Sequence, residues 1–475
     1  MDVPNQTVLA RTQRLFTLSR LARAGCLVVL CSFYAACSSI VPRDATAERT
    51  AARSTRETTA PREVPSRPGL SDNKQFASPD IGEPQATPPP ENYLSPPRVT
   101  GLSPEQAAPP AKRRFTTTTV SPPSQRELGV VKLYFATDRQ WTGETEPPKW
   151  FGSEWNNTTP DPLTYGTCEV SIPVSHHEIG EIEKRSLFRI LIRDPEDPKR
   201  DVIVRQPQRF EKDEFFGALA GEVAMRAEKE VIVFIHGFNN TFDDAASRLG
   251  VLAYDLKFEG VPVLYSWSST GGLLGFTLGS YRHDEQVVTK TESALTEFLA
   301  SVTQTARAAG AQRVNVVAHS MGNRPLVAAL RSLAEREGNK ITIDEVVMAA
   351  PDVQQEGFAD TYGRKLQCPG GIAERVTLYA SSKDQALIVS RKLHGGFRRI
   401  GEGGDMLLCL PGLDTVDASG CDFHRFGLNH TYFGGPKIIA DLAKILNPGW
   451  TPLQRQLREM KQRKFGYWML PELGR

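Results

Sequence analysis

An apolar run that stops at a serine and turns at once into a helical pattern constrains this chain more than any other feature. Val314, Val316, Val317 and Ala318 have the character of a parallel strand covered on both faces. His319, Ser320, Met321 and Gly322 follow, and Leu326, Val327, Leu330 and Leu333 then recur at helical spacing. A serine at such a junction can point its hydroxyl above the sheet, while the N–H groups of the new helix are free to meet negative charge. The five-residue pattern is that of a strand–turn–helix nucleophile, with Ala318 in the first small position and Gly322 in the second. Ser320 is therefore the candidate nucleophile, and a structural turn is the plain alternative.

A second motif bears on the same chemistry. The apolar run Val231 to Ile235 ends in His236-Gly237-Phe238-Asn239-Asn240, ahead of another helical segment. When a nucleophile adds to a carbonyl, the oxygen acquires charge, and preplaced N–H donors stabilise it. Met321 supplies one expected donor and Phe238 the other, with Gly237 allowing close backbone approach. His236 reads as a packing histidine that shapes this loop.

Strands and helices alternate around these motifs. Strands are expected at Val130 to Ala136, Gly166 to Pro173, Leu187 to Ile192 and Val202 to Arg205, and a helix at Glu211 to Ala227. Strand Val231 to Ile235, helix Asp243 to Leu256, strand Val261 to Tyr265 and helix Gln286 to Arg307 lead to the serine. Strands Glu345 to Ala349 and Arg375 to Ala380, a last strand between Met406 and Val416, and helix Pro436 to Leu446 complete the pattern. This alternation predicts an α/β fold with a mostly parallel central sheet flanked by helices. The early strands, with no helix between them, are expected to be antiparallel.

The His-Gly loop and the Ala-His-Ser-Met-Gly turn, at this separation, resemble the α/β-hydrolase superfamily. Phe135-Ala-Thr-Asp-Arg139, His236 to Asn240, Tyr265-Ser-Trp267 and Ala318 to Arg324 together resemble a bacterial esterase/lipase-like family of uncharacterised function. The resemblance covers nearly all of residues 128–446 and implies the α/β-hydrolase fold. It also implies the chain order Ser, then Asp or Glu, then His. Asp384, in Ser381-Ser-Lys-Asp384, matches the superfamily's usual acid position. Asp352, in Ala349-Ala-Pro-Asp352, is the alternative acid, or else a helix cap or pocket-lining group. His394, His424 and His430 follow Asp384, and His430, just before the last helix, stands where the superfamily places its base.

These residues predict a serine hydrolase that cleaves an ester through Ser320, His430 and Asp384, with an acyl-enzyme intermediate. The substrate is expected to be a small-molecule or lipid ester, and no cofactor is expected. Two alternatives stay open: a non-catalytic binding or scaffold protein on the same fold, and an acyltransferase or amidase using the same residues. Trp267, Leu273, Leu274 and Phe276 either line an acyl pocket or pack as core, and Gly271, Gly272 and Gly275 suggest a mobile loop beside them.

The chain has 475 residues, but its first 36 read as a lipoprotein-type signal peptide. Arg11, Arg14, Arg20 and Arg23 precede an apolar core from Cys26 to Ala36, which is shorter than the about 20 residues a membrane-crossing helix needs. Ala35-Ala36-Cys37 resembles a bacterial lipoprotein cleavage site, although Tyr34 departs from the usual aliphatic residue. Cys37 is then the expected lipid site, and the protein is expected in the cell envelope, held to a membrane. Residues 37–127 are rich in Pro, Ser and Thr, cannot bury enough surface to fold, and read as a disordered linker before the domain at 128–446.

Residues 447–475 read as a basic, partly helical tail, with Leu453, Leu457 and Met460 forming an apolar stripe. That stripe suits a helix docked on the domain or lying on a membrane surface. A net charge of +2 gives no pull toward nucleic acid. Cys168, Cys368, Cys409 and Cys421 can form one or two disulfides, Cys409–Cys421 among them, or remain buried thiols. No cysteine or histidine spacing suggests a metal site.

Overall fold

The computed structural model describes residues 128–471, apart from 147–148, 159, 186–188, 190–193, 272–276, 338–340, 363–365, 367–370, 406, 422–429, 447–449 and 463–464. The expected signal peptide, the expected lipid site Cys37 and the expected linker lie outside the described residues, as do His424, Cys368, Leu273, Leu274, Phe276 and most of the expected strand Leu187 to Ile192.

The early strands are β1 (Leu128–Thr137), β2 (Arg139–Trp141), β3 (Phe151–Trp155), β4 (Thr164–Pro173), β5 (Ile203–Val204) and β6 (Gln208–Phe210). Helix α1 (Lys212–Met225), β7 (Glu230–Ile235), α2 (Phe242–Asp255), β8 (Val261–Ser266) and α3 (Leu278–Ala308) follow. Next come β9 (Arg313–His319), α4 (Asn323–Glu337), β10 (Ile343–Ala349), α5 (Phe358–Thr361), β11 (Ala373–Ala380) and α6 (Gln385–Leu393). The last elements are β12 (Leu413–Asp417), α7 (Pro436–Ile445), β13 (Arg458–Gln462) and β14 (Phe465–Met469).

Among the described residues the main sheet has 12 strands, ordered β13-β14-β12-β11-β10-β9-β7-β8-β1-β4-β5, with β6 also on β4. From β14 through β1 every pairing is parallel. Antiparallel pairing is confined to the two ends. The continuous apolar runs exist because both faces of the sheet are covered. Val231, Val233 and Ile235 point into one core with α1, α3 and α4, while Ile232 and Phe234 point into another with α2 and α7.

Helix α3 begins well before the expected Gln286. Thr277 caps it, its hydroxyl accepting from Ser280 N while Ser280 reaches back to the Thr277 N–H. The polar first turns hid this start from periodicity.

The tail departs from expectation more sharply. Strands β13 and β14 pair antiparallel, and β14 adds to the sheet parallel to β12. Arg455, one of the basic residues of this tail, is 2% exposed, with Nη2 2.6 Å from Asp441 Oδ2. Leu457 beside it is also buried. The unpaired edge of β12 offers backbone partners that a helix could not use, and tertiary pairing overrides the local helical pattern. The folded domain therefore continues past residue 446.

Cys168 is a buried free thiol, and no disulfide joins Cys409 to Cys421. No helix among the described residues is long and apolar enough to cross a membrane.

Candidate functional site

The chain passes from β7 to β8 on one side and then to β9 on the other. In open α/β sheets, ligands bind at such a reversal, beyond the carboxyl ends of the strands, here β7 and β9. The His236–Asn240 loop and the Ser320 turn both emerge there.

Ser320 has φ +54°, a left-handed conformation that a non-glycine residue adopts only when its surroundings hold it. Asn323 Nδ2 donates to Ser320 O at 3.1 Å and to Ala318 O at 3.1 Å, closing the turn from inside. From outside, the Asp352 N–H donates to the same Ser320 carbonyl at 3.2 Å. Two glycines let the neighbouring loop approach. A β-carbon on Gly237 would lie 2.9 Å from Ser320 Cβ, and one on Gly322 would lie 2.3 Å from the His236 carbonyl oxygen. The loop that bears Phe238 is thereby packed directly against the turn that bears Met321.

Asp384 follows β11 and caps α6, accepting from Leu387 N on Oδ1 at 3.1 Å. Its Oδ2 accepts from His430 Nδ1 at 2.7 Å, and the carboxylate is fully buried. The helix N-terminus stabilises its negative charge. A carboxylate acceptor assigns the His430 proton to Nδ1, leaving Nε2 able to take one. Burial alone would lower the His430 pKa, but the charge and hydrogen bond of Asp384, with the charge of Asp352, raise it above 6.5. The His430 ring centroid lies 4.9 Å from that of His319, the residue before Ser320. His430 and Asp384 are thus paired, with the His430 ring against His319, the residue that precedes Ser320 at the end of β9.

Residues 211–444 of this chain match the family model described as "Alpha/beta hydrolase of unknown function (DUF900)". The domain has the α/β-hydrolase fold. No curated protein matches the chain.

In this α/β-hydrolase fold the carboxylate of the alternative acid, Asp352, is engaged elsewhere. It accepts from Tyr281 Oη at 2.7 Å, Ser390 Oγ at 2.5 Å and Arg324 Nη2 at 2.9 Å. Arg399 Nε lies 3.3 Å away. Burial would raise its pKa, yet Arg324 and Arg399 hold it at about 2. His394 is partly buried, its Nδ1 bonded to Ser390 O and its Nε2 to Glu285.

His236 shapes its loop, as its position suggested. Its ring stacks on Trp267 at 5.1 Å and 10°, and Nδ1 donates to Gly237 O at 2.8 Å. Burial, then the Arg139 charge, lowers its pKa to about 3, so it stays neutral. Trp267 packs as core, fully buried, with Nε1 donating to His236 O at 2.8 Å.

Sequence reasoning quoted Arg139 but gave it no task. Its guanidinium, 1% exposed, donates to Asn240 O at 2.6 Å, Ser269 O at 2.8 Å, Gly152 O at 3.2 Å and Ser266 Oγ at 3.0 Å. One side chain thus ties the loop after β7 to the loop after β8 and to β3. Asp284 adds a second clamp, accepting from Asn239 N at 3.3 Å and Thr270 N at 2.8 Å. The one signal for either was an arginine directly after an apolar strand, which names no partner.

Proposed function

We propose that this α/β hydrolase is a serine hydrolase that cleaves carboxylic esters. The observation that supports this reading is the 2.7 Å bond from His430 Nδ1 to the buried Asp384, with the His430 ring against His319, the residue before a serine held at φ +54°. In the proposed cycle His430 Nε2 takes the Ser320 hydroxyl proton as the oxygen attacks the ester carbonyl carbon. Phe238 N–H and Met321 N–H stabilise the resulting oxyanion. His430 passes the proton to the departing alkoxide, leaving an acyl-serine. Water then attacks the acyl carbon, giving its proton to His430, and the carboxylic acid leaves as the proton returns to Ser320. Asp384 holds the imidazole in the required tautomer and stabilises its protonated form.

Labelling with a fluorophosphonate, followed by mapping of the modified peptide, tests this reading. Modification at Ser320 and turnover of a short p-nitrophenyl ester, both lost in Ser320→Ala, are expected. An unreactive protein would instead favour a binding module on the same fold. An acylated Ser320 that is released faster by an added alcohol or amine than by water would favour acyl transfer.

We also propose that the chain is exported and lipidated on Cys37. Incorporation of a fatty-acid analogue that persists in Cys37→Ser would overturn that assignment.

A further inference from the structure

His319 closes β9 directly before Ser320 and takes no part in the cycle above. Its Nε2 lies 3.3 Å from the main-chain carbonyl oxygen of His430. A carbonyl oxygen can only accept, so Nε2 carries the proton. The ring stacks near-parallel on Phe433 at 5.9 Å and 24°, and meets the His430 ring at 4.9 Å and 43°. On its other side, a β-carbon on Gly237 would lie 3.1 Å from Nδ1, so the oxyanion loop also rests against this imidazole. Burial, then the charge of His430, lowers the His319 pKa well below 6.5, which keeps the ring neutral and its one proton on Nε2.

His430 itself belongs to no helix or strand; it precedes a single 3-10 turn at Tyr432–Gly434. Its backbone has to be located by something rigid, and β9 is a central strand hydrogen-bonded on both sides. We propose that His319 is a positioning residue for His430, donating from the end of β9 to the His430 carbonyl and so setting the reach from base to Ser320. This rests on the serine-hydrolase reading. The same strand then carries the nucleophile and the anchor of its base, and motion of the loop cannot separate them without breaking that bond.

Two full-chain variants separate the donor from the ring. His319→Phe keeps the aromatic stack and removes the donor; His319→Gln keeps an N–H donor and removes the ring. The Phe variant is expected to lose at least about tenfold in kcat on a p-nitrophenyl ester, since small misplacement of a catalytic group is costly, with KM within about twofold of wild type. The Gln variant is expected to recover most of kcat. Wild-type kcat in the Phe variant, or equal losses in both, would overturn the positioning role. His319→Leu takes the place of the Phe variant if that one does not fold. Fluorophosphonate labelling keeps the two readings apart. Failure of wild type to label ends the hydrolase reading, whereas wild-type labelling rates in the Phe variant end this one alone.

Discussion

Gly322 and His236 meet backbone to backbone: a β-carbon on the glycine would stand 2.3 Å from the histidine's carbonyl oxygen. The turn that bears Ser320 and the loop that bears Phe238 are therefore one unit. Gly322→Ala cannot be relieved by a rotamer change, because the obstructing atom is main chain. It should push the loop off the serine, lowering kcat/KM by about 100-fold and stability by about 1–3 kcal/mol. Ester hydrolysis and a thermal melt would check both effects. An active, wild-type-like Gly322→Ala protein would show that the contact carries neither.

The two acids can be told apart by substitution. Asp384→Asn should reduce kcat by about 10⁴-fold while the protein stays folded, because the amide cannot hold the imidazole in its working tautomer. Asp352→Asn removes the counter-charge of two buried guanidinium groups, so it should act on stability, by about 3–5 kcal/mol. The reverse pattern would transfer the acid role to Asp352.

The pH–rate profile carries the signature of His430. In the proposed cycle it must be neutral to accept the serine proton, and Asp384 outweighs burial to raise its pKa above 6.5. The acid limb of kcat/KM should therefore fall above pH 6.5, with activity lost as pH drops through it. In Asp384→Asn the residual activity should show that limb displaced to lower pH. An unshifted limb would mean that another group governs it.

His177 offers a stability test far from the chemistry. Its Nδ1 meets Glu183 at 3.0 Å and its Nε2 meets Asp255 at 2.7 Å. Burial lowers its pKa, but hydrogen bonds and charge from Asp255 and Glu183 prevail and raise it above 6.5. A raised folded-state pKa contributes stability that is fully present below the unfolded value and is lost as pH rises through the folded one. His177→Gln should then cost about 1 kcal/mol at acidic pH, the low end for charge-assisted bonds because the loop borders solvent. The difference should shrink in alkaline buffer. Denaturant melts at two pH values would measure it, and a gap that widens with pH would contradict the assignment.

Much of the architecture was legible because it follows from local pattern. A parallel strand buried on two faces must be largely apolar, and β7, β8, β9, β10 and β11 each carry such a run. The strained turn at Ser320 was legible because small residues flank it between a strand and a helix. The acids were harder: Asp352 and Asp384 both follow strand ends, and nothing local to either shows that Arg324 and Arg399 claim the first while His430 claims the second. The tail was misread because the helical stripe of Leu453, Leu457 and Met460 says nothing of the open edge of β12.

The amino-acid order by itself determined the alternating elements, the serine turn and the loop that faces it, since backbone propensity and burial act over neighbouring residues. Tertiary structure alone decided which carboxylate orients His430, what Arg139 and His319 hold in place, and where the last strands pair. Those outcomes depend on charges and hydrogen-bonding groups far apart in the chain, whose partners exist only once the sheet has brought them together.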